Sequence, residues 1–212
     1  LMISSPTHPD QALWYSNPDP TFTWTLPNGV TSLELGIGAS ESDEPTVSYA
    51  KPFEEKTVED IEDGIWYFLM RYRSGGEWST VQNYAFQVDS TIPSFDSLEV
   101  RYDDIRSVAL VDVVASDEGS GIARYDLSLD DKVVMTATPD DVANGSVAVP
   151  VRTPGEHRIT VSAIDAAGNV AEASELISAA PTLGSQIVFR IAGLGITLSA
   201  VLIVMGLLWL LT

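Results

Sequence analysis

Apolar and polar residues alternate along most of the first 180 positions, and short clusters of turn residues break the alternation at regular intervals. Residues 21–26 read Thr-Phe-Thr-Trp-Thr-Leu, with Phe22, Trp24 and Leu26 on one face of a half-buried strand. Pro27-Asn28-Gly29 turns the chain, and residues 32–37 alternate again. An acidic loop at 39–45 and short strand candidates at 47–49 and 57–58 come next. Asp63-Gly64 opens the strongest strand, 65–72, which Ser74-Gly75-Gly76 closes as a hairpin with 78–88 returning. The segment before all this, 1–20, carries Pro6, Pro9, Pro18 and Pro20 and reads as extended or turning chain.

After Asp89-Ser90-Thr91-Ile92-Pro93 the pattern starts again. Strands are predicted at 98–102, 107–115, 125–129, 133–136, 146–151 and 157–163, with a last one after the loop Asp165-Ala166-Ala167-Gly168-Asn169. Short strands punctuated every 8–12 residues predict a β-sandwich, here two in tandem. The halves align as a repeat of about 90 residues: Gly64 falls on Gly155, and Trp66-Phe68-Met70-Tyr72 on His157-Ile159-Val161-Ala163. The aligned faces predict a Trp- and Tyr-filled core in the first unit and a core of small, β-branched residues in the second. The pattern ends differently. Residues 191–211 are 21 positions without a charge; as a helix they would span about 31 Å, the hydrocarbon thickness of a bilayer. The expected organisation is therefore all-β: a sandwich at 1–89, a sandwich at 90–178, a small-residue stalk at 179–186 and one transmembrane helix at 187–212.

Charge narrows the partners. Acids outnumber bases 30 to 11, for a net charge of −19, and each half carries about −10. Such a surface repels nucleic acid, so no nucleic-acid partner is expected. With no cysteine there is no disulfide, thiolate metal site or cysteine nucleophile. The start, Leu-Met-Ile-Ser-Ser, shows no signal peptide, so the chain is expected to be the C-terminal part or mature form of something longer. A single-pass cell-membrane location follows from the apolar run, and the β-domains are expected outside the cell because the large folded body is taken to be exported. Arg190 is expected at the outer interface and Trp209 near the inner one. Within that run Gly195 and Ser199 are four apart, a small-xxx-small spacing that would let two helices approach and make a homo-oligomer.

Several stretches resemble the immunoglobulin-like and fibronectin-type-III-like repeats of prokaryotic cell-surface proteins. In the first unit they are SPTHPDQALWYSNPDPTFTW at 5–24 and DGIWYFLMRYRSGGEWS at 63–79. In the second they are VDSTIP at 88–93, ASDEGSGIARYDLSLDD at 115–131 and GEHRITVSAIDAAGNV at 155–170. The resemblance covers about 180 residues and departs from the pattern at Ser74-Gly75-Gly76-Glu77, where such repeats have an acidic loop. It implies the fold and leaves function to the sites, since the same sandwich serves spacers, adhesins and enzyme accessory modules.

Three sets of residues carry candidate chemistry. In an immunoglobulin-like topology the entry to the first strand and the second and last loops meet at one end. Asp89, Asp117, Glu118, Asp165 and Asn169 would then converge as oxygen ligands for Ca²⁺ at the junction of the units. The competing reading is that Asp165 and Asn169 form Asx turns around Gly168. Trp14 and Tyr15, in the irregular entry segment, are the candidates for stacking on a surface glycan, whereas Trp24 and Trp66 fall on core faces. His157 stands at the strand start where a corner tyrosine is usual. Asp103-Asp104, Asp130-Asp131 and Asp140-Asp141 are expected in solvated turns, and no catalytic motif occurs, so the chain is not expected to be an enzyme. The function expected is a membrane-anchored extracellular stalk with adhesive contacts. The alternatives are a glycan- or cell-wall-binding module and an accessory region of a larger surface enzyme.

Overall fold

The computed structural model describes residues 1–180 and the backbone of two short antiparallel strands, Val188–Ile191 and Leu194–Thr197. Those eight residues are extended, not helical, unlike the expectation for 187–211; Val188, Ile191, Ile196 and Thr197 are β-branched and favour that backbone. The other residues of that run, Ser199 among them, lie outside the described residues, as does most of the stalk. Among the described residues no helix is long and apolar enough to cross a membrane.

Two pairs of sheets succeed one another along the chain. In the first, β1 (Ile3–Ser4), β3 (Thr21–Trp24) and β6 (Glu55–Thr57) form one sheet. The facing sheet runs β2 (Trp14–Tyr15), β9 (Gln82–Val88), β7 (Gly64–Ser74), β4 (Val30–Gly38), β5 (Val47–Tyr49), with β8 (Glu77–Trp78) paired to the end of β7. In the second, β10 (Ser94–Asp103), β11 (Val108–Ser116) and β14 (Val147–Pro150) face β13 (Lys132–Ala137), β12 (Ile122–Leu129), β15 (Gly155–Asp165) and β16 (Val170–Ala179). The wiring is the same in both. The first unit adds β8 and β2, the latter pairing parallel to β9 through Trp14↔Gln87 and Tyr15↔Val88.

Each pair of sheets encloses its own core. The first is built on phenylalanine more than on the Trp and Tyr the pattern suggested. Phe22 stacks on Phe68 with ring centroids 4.2 Å apart and meets Phe86 at 5.2 Å, while Trp24 covers them and donates its Nε1–H to the Phe53 carbonyl at 2.8 Å. The second core is Ala109, Val111, Val113, Leu127, Val149, Ile159, Val161 and Ala163, with Tyr125 its one buried aromatic.

The repeat is visible in one local device. Gly64 and Gly155 open the equivalent strands with φ of 149° and 129°, a backbone open to glycine and strained for other residues. Two residues on, Trp66 donates its Nε1–H to the carbonyl of Glu62 at 2.8 Å, and His157 donates Nε2–H to the carbonyl of Thr153, also at 2.8 Å. Each bond reaches back four residues. An indole in one unit and an imidazole in the other thus close the strand entry that a corner tyrosine closes elsewhere. One expectation fails here: Asp140 and Asp141 lie in a short helix, α1 (Pro139–Ala143), not in a turn. Thr138 caps it, Pro139 starts it and the Asp141 side chain returns to the Thr138 N–H, so the capping signal Thr-Pro-Asp-Asp was present in the sequence.

Candidate cation site at the junction of the sandwiches

Strand β9 ends at Val88, and the residue after it is the first of the site. Asp89 is fully buried, and its N–H is held by the Tyr15 carbonyl at 3.0 Å. From the second unit come Asp117, just after β11, and Asp165, the last residue of β15. One oxygen from each of the three carboxylates lies within 4.8 Å of the others. Asp165 is 2% exposed and Asp117 is half-buried.

Backbone and amide donors fill part of this cluster. Asp89 accepts from the Thr91 N–H at 3.2 Å on Oδ1 and from the Ser120 N–H at 2.6 Å on Oδ2. Asp165 accepts from Asn169 twice, from the backbone N–H and from Nδ2, both at 2.8 Å. Asp117 accepts from the Gly121 N–H at 2.7 Å on Oδ1, while its Oδ2 is buried without a hydrogen-bond donor. Burial, and then the negative charges of Asp89 and Asp165, push the Asp117 carboxyl above its ordinary range. A hard divalent cation suits the remainder: an all-oxygen donor set, excess negative charge and one uncommitted buried oxygen. Gly119 presses on the cluster from outside, for a Cβ there would stand 2.5 Å from the Asp89 Cγ.

Of the five residues predicted as ligands, the structure brings together Asp89, Asp117 and Asp165. Asn169 stands beside them as a donor: its Nδ2 also reaches the carbonyls of Asp89 at 2.7 Å and Thr91 at 3.1 Å. Glu118 is exposed and turns to a neighbouring cleft of about 320 Å³ that it lines with Trp14, Asp63, Gly64, Thr91 and Gly119. Tyr15 faces inward. Its ring lies 4.6 Å from that of the buried His8, and its hydroxyl accepts from the Asp10 N–H at 2.9 Å. The pair Trp14-Tyr15 is therefore split, with Trp14 alone beside open space. Gly195 falls in the short strand Leu194–Thr197.

The sequence reading missed Asp63, which it took only for a turn. Its Oδ1 accepts from the N–H and hydroxyl of Ser90 at 2.7 and 2.8 Å, and its Oδ2 from the Thr91 hydroxyl at 2.6 Å. Burial works to raise the Asp63 carboxyl, but the donors of Thr91 and Ser90 outweigh it and hold it below the ordinary range. The connecting residues Asp89-Ser90-Thr91 are thus gripped by Asp63 from one side and by Ser120 and Asn169 from the other.

The comparisons bear on the fold. No family model matches the sequence, and no curated protein does. Among solved structures, the chain is similar to the fibronectin(III)-like modules of Clostridium thermocellum CbhA, at 15% identity and a TM-score of 0.50. The match covers 90% of this chain and 100% of that one, more than either sandwich alone would occupy. The protein is all-β, with a fibronectin-type-III-like sandwich fold.

Proposed function

We propose that the two sandwiches act as a structural spacer of a cell-surface protein without chemistry of its own, anchored by the apolar run 187–211. That run turns from the extended form at 188–191 and 194–197 to a helix on entering lipid, where only a helix pairs every backbone N–H and C=O of a single pass. The observation that carries this reading is the gripped connection. Two units free to swing need a loose linker, whereas Asp89-Ser90-Thr91 is hydrogen-bonded from both sides. Both cores close within residues 3–179, so a fragment 1–180 is the test object. Solution scattering should fit one fixed arrangement of the two units, and polysaccharide pulldown should find no ligand. A distribution of interdomain angles, or retention on glycan through the Trp14 cleft, would replace the spacer reading.

A second reading rests on the uncommitted oxygen of Asp117. The junction takes up Ca²⁺, with Asp89, Asp117 and Asp165 as carboxylate ligands. The ion would lock the first unit's last residue to the second unit's loops, offsetting repulsion that otherwise weakens the contact. Isothermal titration of the fragment 1–180 with Ca²⁺ tests it; heats indistinguishable from dilution would remove it.

A further inference from the structure

The hairpin tip between β10 and β11 carries a side chain that neither core uses. Ile105 is 97% exposed. The turn that presents it is built locally: Asp103 Oδ1 accepts from the N–H groups of Ile105 and Arg106, both at 3.0 Å, and Ser107 takes a positive φ of 54°. The register places this tip. Asp103 pairs with Val108, Val108 with Pro150, and Gly155 with Ala179. The tip therefore stands at the end of the second sandwich where the chain leaves it, opposite the Asp89 junction.

Charge is distributed to match. Of the 16 acids and 6 bases between residues 90 and 186, this end holds Asp103, Asp104, Asp130, Asp131 and Glu156 against Arg106, Lys132, Arg152 and Arg158. The remaining 11 acids face only two bases. Near neutrality at one end of so acidic a domain removes the repulsion that an anionic surface would otherwise meet. From Ala180 to the apolar run there are seven residues, 180–186, which reach at most about 25 Å.

We propose that this end of the second sandwich docks on the lipid surface, with Ile105 entering the headgroup–acyl boundary and Arg106, Lys132 and Arg152 meeting lipid phosphates. The inference rests on the proposed membrane anchor. A single apolar side chain is a weak contact by itself. Linked to an anchor, it works at an effective concentration on the order of millimolar, and it sets the tilt of the domain without a stiff stalk.

Because the sequence has no cysteine, one can be placed at will. In the full chain, reconstituted in phosphatidylcholine–phosphatidylglycerol vesicles, Asp104→Cys carries an environment-sensitive dye beside the intact Ile105. Ile92→Cys, at the far end of the same domain, is the control. Vesicle flotation is measured first. The expected result is a chain that floats, a dye at 104 quenched by nitroxide lipids, no quenching at 92, and loss of the quenching at 104 when Ile105→Asp is added. A chain that floats with the dye at 104 unquenched overturns the docking while keeping the anchor. A chain that stays with the water overturns the anchor and the docking together. Shielding of the dye that is the same without vesicles assigns the tip to a protein contact and also overturns the proposal.

Discussion

The two histidines are set up to titrate in opposite senses. His8 is fully buried, donates Nε2–H to the Asn17 carbonyl at 3.1 Å and faces the Thr7 hydroxyl at 2.9 Å through Nδ1. A neutral ring satisfies both contacts, and burial lowers its pKa, with the Asn17 bond a smaller opposing effect. His157 instead has a carboxylate at 2.6 Å on Nδ1 and a carbonyl at 2.8 Å on Nε2, two acceptors that only the protonated ring satisfies. The bond to Asp130, followed by that to Thr153, raises its pKa. The signs come from linkage. The first unit loses stability as pH falls from about 6.5 through the lowered value of His8. The second holds the His157 contribution below about 6.5 and loses it as pH rises through the raised value. Calorimetry across pH 5 to 8 should show two transitions moving in opposite directions, with His157→Gln flattening only the second. Asp117 gives a separate prediction. With a chelator present, Asp117→Asn removes a charge from the cluster and turns the orphaned Oδ2 position into a donor, so the second unit should gain about 1–3 kcal/mol. The same variant should abolish any response to Ca²⁺. A loss of stability in chelator would show that the Asp117 carboxylate is already balanced.

At the scale of elements, the junction depends on a close approach that only glycine allows. A methyl at Gly119 would meet the Asp89 carboxylate at 2.5–2.6 Å, and that side chain has no room to yield because Ser120 and Thr91 hold it and it is fully buried. Gly119→Ala should cost about 1–3 kcal/mol as overpacking and broaden the interdomain distance distribution measured between spin labels; an unchanged distribution would show that the contact is not the one that orients the units. Asp89, Asp117 and Asp165 were legible in the sequence because each ends or succeeds an alternating run, and alternating runs fix where loops fall. Glu118 was read with them because two consecutive acids in a loop look alike until the backbone turns one of them outward. Asp63 was not legible at all. It reaches Ser90 and Thr91 only through the β7–β9 register, Gly64 opposite Val88, and register is a long-range property. The two-residue strand β2 was hidden for a related reason: its pairing comes from β9, more than 70 residues away, and nothing in its Pro-rich surroundings signals it.

For the whole molecule, the repeat explains the likeness of the units and predicts that they respond unequally to a cation. The sandwiches share wiring, the opening glycines and the ring-to-carbonyl corner. They differ in filling, aromatic in the first and small aliphatic in the second, and in the residue after the last strand. Asp89 comes after Val88 in the first unit, whereas Ala180 takes the matching place after Ala179 in the second. The acidic cluster is thus a property of the junction and, among the described residues, has no counterpart at the far end. Two of its carboxylates, with Asn169 and Gly119, belong to the second unit, so an ion bound there stabilises that unit against unfolding and leaves the first largely unaffected. At a Ca²⁺ concentration one hundred times its dissociation constant, the stabilisation is about 2.7 kcal/mol. In a domain of roughly this size that corresponds to a rise of about 10–20 °C in one transition. Differential scanning calorimetry of the fragment 1–180 in millimolar Ca²⁺ and in EDTA should therefore separate the two transitions by moving one of them. Superimposable traces would remove the ion from the junction and leave the hydrogen bonds of Asp63, Ser120 and Asn169, with the close approach of Gly119 to Asp89, to hold the units in line.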